Sequence, residues 1–498
     1  MKSINIMNFA RSFEPRDVKA EELLLETTRK QMTLVNEMQV NATFLLQYDV
    51  FCNEEFVDMI KSNLNDNIEL GFWYEVVEPL TTACGLPYES ENGWKWDWHI
   101  KPGFSMSYTN EDRILLIDEA MHKFREVFGF YPRTVGSWLL DTVTVNHLAS
   151  NYDIDAMCFC RDQINTDAYT LVGGYFNQAY YPSKNNMFTP AQTNDTQINV
   201  PIFRLLGPDP IHNYDNEKFA SSDAGSGPFT MELVHKKGAG GDPHTSDWYL
   251  KNFFENESLG FAYAQIGQEN SFCLYDIIEP LRYQIKKASE YGYVAIEKMC
   301  DTGRRFKEKY KTTPATSVCA LDNWDTKDAQ SVYYDSKNYT ANIFHFENKT
   351  FIRSLYLFDD RIEDVYNKTI CVTDDAVYEN LPIVDTSYQK EHTDGGLGII
   401  LDTNSSRFDV LKLSDSDLKV FWDDKSVIFS ENQILIKNCK LSFTPMMFNT
   451  KISVSDSKIS FEYKSHHYEL NVNGGICSEV NGKIIIEGED VTIIPTKI

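Results

Sequence analysis

Positive charge is scarce in this chain. Against 73 Asp and Glu, its 498 residues set only 47 Lys and Arg, a net charge of −26. No basic run offers a local exception, so the balance argues against a nucleic-acid partner, which would need phosphates neutralised. Long apolar runs are missing too: no window approaches the 18 or so consecutive apolar residues of a membrane span. The N-terminus enters a strand-like pattern at Ser3-Ile4-Asn5-Ile6 with no apolar leader run. A cytoplasmic protein with no membrane partner is therefore expected. The ten cysteines show no Cys-x-x-Cys spacing. Cys158 and Cys160, the nearest pair, would point to opposite faces of a strand, and all ten are read as buried free thiols.

Catalytic signatures are sparse as well. None of the ten histidines pairs as His-x-x-x-His, and neither a metal nor a cofactor is expected. Gly238-Ala239-Gly240-Gly241-Asp242 lacks the Lys-Ser/Thr ending of a phosphate loop and reads as a flexible lid segment. No Ser or Cys sits in a nucleophile elbow. With 42% hydrophobic residues, the chain has material for one large core and two or three domains.

What is present is an alternation of apolar strands ending in polar groups with helical stretches. Seven strands are read, around Ser3–Phe9, Ala42–Asp49, Ile68–Trp73, Tyr131–Asp141, Ile154–Cys160, Val200–Leu206 and Gly260–Ile266. Helical periodicity covers Val18–Met38, Glu54–Asn63 and Asn110–Phe128. The spacing predicts a (β/α)7 barrel over residues 1–310, a mixed helical and β segment over 311–394, and an all-β sandwich over 395–498. Parallel barrel strands open their C-terminal ends on one face, where polar groups distant in sequence converge. The candidates there are Arg11, Glu14, Asp49, Glu75, Asp141, Asp162, Arg204, Asp209 and Glu269.

Aromatics accompany these acids. Gly136-Ser137-Trp138-Leu139-Leu140-Asp141 ends a strand in Trp-x-x-Asp, and a stacking ring beside a carboxylate suits a pyranose ring and its cation-like transition state. The alternative for Asp141 is a helix cap ahead of Thr142-Val143-Thr144. Trp73, Trp98 and Trp138 are further stacking candidates, with Trp94 and Trp96 in the cluster Gly93–His99. The long polar and aromatic excursion after the fifth strand, through Tyr180 and Tyr181, reads as a functional loop.

The Trp-x-x-Asp stretch resembles the Gly-x-Trp-x-x-Glu motif of family 57 glycoside hydrolases, which ends in their nucleophile. Ile68 through Glu75 and on to Pro79 is similar to their third-strand motif, whose Glu contacts sugar. Gly267-Gln268-Glu269-Asn270 looks like their seventh-strand end, which carries the general acid/base. The run from Trp94 to Tyr214 also resembles uncharacterised gut-bacterial proteins of this architecture. The departures are Asn8-Phe9-Ala10-Arg11 in place of a first-strand His-Gln-Pro, Asp for Glu at 141, and Glu for Asp at 269. The resemblance implies a retaining glycoside hydrolase acting on an oligosaccharide or glycoside. Asp141 would attack and Glu269 would protonate the leaving oxygen, their carboxyls about 5 Å apart. Arg11, Glu14, Asp49, Trp73, Glu75, Trp98, Trp138, Asp162, Arg204 and Asp209 would line the sugar site. A metal-dependent deacetylase and a non-catalytic carbohydrate-binding protein remain the alternatives.

Overall fold

The computed structural model describes every residue except 161–172, 213–229, 327, 375, 378, 387–397 and 446–450. Its N-terminal part is a curved parallel sheet. The strands are β1 (Lys2–Ala10), β2 (Ala42–Leu46), β3 (Ile68–Trp73), β4 (Thr134–Ser137), β5 (Ala156–Phe159), β6 (Ile202–Arg204), β7 (Ala262–Ile266) and β8 (Ala295–Glu297). Their order is β6-β5-β4-β3-β2-β1-β7, with β8 paired to the first half of β1. Among the described residues no ladder joins β6 to β7, so the sheet is a half-barrel, not a closed seven-stranded ring. The two ends still touch: the Leu206 N–H donates to Gln265 Oε1, and Tyr263 Oη donates to the Arg204 carbonyl. Strand β8, three half-buried residues, has no counterpart among the seven strands expected from the sequence.

The helices are α1 (Val18–Met38), α2 (Tyr48–Phe51), α3 (Glu54–Asn63), α4 (Glu78–Ala83), α5 (Ile100–Gly103), α6 (Asn110–Phe128), α7 (Thr142–Asn151), α8 (Pro243–Phe254), α9 (Ile278–Glu290) and α10 (Met299–Lys309). Their ends follow local chemistry. Asp17 caps α1 by accepting from the Lys19 and Ala20 N–H groups, and Thr109 caps α6. Helix α6 stops at Gly129, in the left-handed conformation (φ 86°) that glycine adopts without penalty. Inside the sheet, Leu45 fills the space that Gly71 and Gly136 leave. A Cβ on either would fall 2.6 or 2.4 Å from a Leu45 methyl.

The rest of the chain is β. A nine-stranded antiparallel sheet takes strands from Thr316–Ala320 to Lys483–Glu487, and an eight-stranded one from Asp409–Lys412 to Asp490–Lys497. The two share one apolar core in which Ile343 and Ile352 meet Trp422, Phe429 and Ile493. Because the larger sheet draws on residues both before and after 395, a boundary there has no counterpart in the sheet topology. All ten cysteines are free thiols; seven are buried or nearly so in core positions, whereas Cys52 is exposed and Cys84 and Cys273 are half-buried. No helix among the described residues is long and apolar enough to cross a membrane.

Candidate active site

The C-terminal ends of β1, β3 and β7 bring Arg11, Glu75 and Glu269 together. Gly267 makes this possible: it sits at φ 123°, and a Cβ there would fall 1.9 Å from the Met7 carbonyl oxygen. The chain after β7 can thus press against β1, where Glu269 bridges Phe9. Arg11 Nη2 lies 2.6 Å from Glu269 Oε2 and 3.9 Å from Glu75 Oε2. Its guanidinium lies over Trp96, with Cζ 3.9 Å from the ring centroid. Arg16 covers Trp96 and Trp98 at about 5 Å and holds Glu14 through paired hydrogen bonds of 2.6 Å.

Glu75 is buried and its two oxygens differ. Oε2 accepts from Trp73 Nε1 (2.8 Å), Trp96 Nε1 (3.1 Å) and Gln47 Nε2 (2.5 Å). Oε1 has no partner. Burial pushes the Glu75 carboxyl up to about 7, against the opposing pull of Arg11. Burial also raises Glu269, again with Arg11 opposing. Arg11 Nε, Gln47 Oε1 and Asp49 Oδ1 are unpartnered as well, so the cluster carries capacity for further hydrogen bonds. Asp49 uses Oδ2 to fix the turn after β1, accepting from the Ser12 and Phe13 N–H groups, and burial lifts it to about 6. Below the cluster, Phe9 stacks on Trp73 with centroids 4.0 Å apart, and Trp138 stands edge-on to both. Trp98, half-buried, stacks on His99 and leans against Trp94.

Asp141 lies elsewhere in this network. It caps α7 and is fully buried, with its oxygens occupied. Oδ1 accepts from the Thr144 N–H (3.0 Å) and Arg113 Nη1 (3.3 Å), and Oδ2 from the hydroxyls of Thr144 (2.6 Å) and Ser105. The carboxylate expected to attack thus accepts from four donors and caps a helix, the alternative weighed for it in the sequence. Arg113, from the first turn of α6, carried no sequence signal.

Asp209 is likewise committed, to the Ile211 and His212 N–H groups and to Trp324 Nε1 (2.7 Å). Asp162 lies outside the described residues. The Arg204 side chain, at the end of β6, makes one hydrogen bond among the described residues, from Nε to the Leu206 carbonyl. The glycine-rich stretch is no lid: Cβ atoms at Gly240 and Gly241 would collide with backbone at 1.9 and 2.4 Å, and Asp242 caps α8. The described part of the excursion, from Gly173, is packed inward, Phe176 stacking on Tyr333 at 3.6 Å. No three His, Cys, Asp or Glu side chains among the described residues converge to hold a metal ion.

Fold and site together define an α/β half-barrel with a carboxylate pair bridged by arginine at its C-terminal strand ends. No protein-family model matches the chain, and no curated protein matches it in sequence. Solved structures do share the fold. A candidate glycoside hydrolase/deacetylase from Parabacteroides distasonis aligns at a TM-score of 0.51 and 13% identity, over 75% of this chain and 87% of its own. Weaker likenesses are a candidate polysaccharide deacetylase from Mycobacterium smegmatis (TM-score 0.39, 12% identity, 63% and 92% covered) and a family 57 branching enzyme from Thermococcus kodakaraensis (0.32, 9%, 62% and 71%).

Proposed function

We propose that the chain is a carbohydrate-active enzyme, a retaining glycoside hydrolase whose reacting groups are Glu75 and Glu269. The observation that carries this reading is the shared arginine. Contacts of 2.6 and 3.9 Å to one nitrogen bound the separation of the two Oε2 atoms at about 6.5 Å. Retaining enzymes hold their carboxyls about 5–5.5 Å apart, whereas inverting enzymes leave room for a water between them.

The roles follow from the partners. Glu269, in direct contact with Arg11, is the group that attacks the anomeric carbon. Glu75, raised to about 7 with Oε1 free, carries a proton there and delivers it to the departing oxygen. It then activates water for the second step. Gln47 and Asp49 offer free oxygens to sugar hydroxyls, and Trp96, Trp98 and Trp94 form a run of ring contacts leading away from Glu75. Asp141 and Arg113 position α7 and do not react. The name of the Parabacteroides distasonis protein, a candidate glycoside hydrolase/deacetylase, agrees with a carbohydrate substrate.

Separate Glu269→Gln and Glu75→Gln variants, assayed on aryl glycosides of graded leaving-group acidity, test the assignment. Loss of the attacking group abolishes turnover whatever the leaving group. Loss of the proton donor spares the most acidic leaving groups. Turnover near wild type in Glu269→Gln sinks the mechanism.

A further inference from the structure

A second polar site stands at the end of β6 and shares no residue with the carboxylate pair. The Arg204 side chain is buried, 4% exposed, and only its Nε is bonded, to the Leu206 carbonyl at 3.3 Å. Its Nη1 and Nη2 have no hydrogen-bond partner among the described residues. Arginine cannot shed its charge on burial, so a guanidinium left in this state is costly unless an anion joins it.

Leu206, whose carbonyl Arg204 holds, takes a left-handed conformation (φ 56°) that a branched side chain disfavours. The next residue, Gly207, has no room for a Cβ, which would fall 2.0 Å from Tyr249 Oη. Tyr249, from α8, is fully buried, and its hydroxyl also lacks a partner. One peptide unit is therefore flanked by an unpaired guanidinium fork and an unpaired hydroxyl. The acid of the same loop, Asp209, already has both oxygens committed to Ile211, His212 and Trp324.

We propose that Arg204 and Tyr249 form a binding site for a small oxyanion, a carboxylate or phosphate group seated on Nη1 and Nη2 with Tyr249 Oη donating a third hydrogen bond. The anion comes either free from solution or as the acid group of a charged sugar; only the second source rests on the function proposed above. The site makes Arg204 the reader of a negative charge on the ligand.

The full-length chain is titrated by calorimetry with sodium phosphate, sodium glucuronate and glucose, each against sodium chloride of equal ionic strength. Phosphate or glucuronate is expected to bind and glucose is not. Binding of phosphate alone assigns a free anion, and binding of glucuronate assigns the acidic sugar. Arg204→Met should weaken binding by about 100-fold and Tyr249→Phe by about 10-fold, matching the loss of charge-assisted and neutral hydrogen bonds. Arg204→Met should also fold with undiminished stability when no anion is present, since an unpaired buried charge is removed. No binding by either anion, equal binding by Arg204→Met or Tyr249→Phe, or an Arg204→Met chain that fails to fold would each overturn the site. Because the readout is binding, an inactive enzyme leaves this result intact.

Discussion

Replacing Glu75 by glutamine should change how stability responds to pH in a calculable way. The side chain is buried, and three N–H donors, from Gln47, Trp73 and Trp96, point at one of its oxygens. An amide can present its oxygen to those donors and its NH2 to the unpartnered side, so the variant mimics the protonated acid without a steric change. The wild-type group ionises at its ordinary value of 4.5 when unfolded and at about 7 when folded. Below pH 4.5 it is protonated in both states, and the two proteins should unfold alike. As pH rises from 4.5 to 7, the unfolded chain releases a proton that the folded chain retains, and the wild type loses stability relative to the variant. Above 7 the gap stays constant. At roughly 1.4 kcal/mol per pH unit, the total is about 3 kcal/mol in favour of Glu75→Gln. Urea unfolding of both proteins from pH 4 to 8.5 measures it. Parallel stability curves, or a variant that is weaker at pH 8, would mean that Glu75 is an ionised partner of Arg11, and the proton-donor role would fall with it.

Three other outcomes are expected. Glu269→Gln should lower kcat/KM by about 10³-fold or more on every glycoside that the wild type turns over, as loss of a nucleophile does. Asp141→Asn should lose about 3–5 kcal/mol of stability because Arg113 is left buried beside a neutral group. Its turnover per folded molecule, measured at low temperature, should stay within about threefold of wild type; a 10³-fold loss would return Asp141 to the reacting groups. Gly267→Ala should destabilise the barrel by about 3 kcal/mol, read by thermal unfolding, because its backbone conformation and the Met7 carbonyl both oppose a Cβ.

The strands of the half-barrel were legible because each is an apolar run ended by polar residues, and such runs are local. Observed β2 to β7 fall inside the segments read from periodicity, and β1 exceeds its segment by one residue at each end. The convergence of Glu75 with Glu269 was legible only as two strand ends on one face. Which oxygen meets which donor depends on Trp96 and Gln47, whose directions no spacing encodes. Asp141 shows the opposite case. Its cap was written in the local Asp-Thr-Val-Thr pattern, but its salt bridge comes from Arg113, 28 residues away on another helix. The glycine-rich stretch suggested a lid because composition reports freedom, whereas the folded chain uses the same glycines for close contact. The sheet that spans residue 395 was invisible because antiparallel pairing there joins strands distant in sequence.

That shared β region reaches into the barrel. Arg353, on the strand Lys349–Leu357, donates to the carbonyls of Pro210 and Ile211, and Asp364 accepts from Thr142 at the start of α7. The C-terminal part is therefore scaffolding for two of the barrel's own loops, and not a detachable module. A chain cut after residue 310 would keep Glu75 and Glu269 but lose the clamps on the loop beyond β6, and homologous swaps of either half would have to carry both sides of those clamps together.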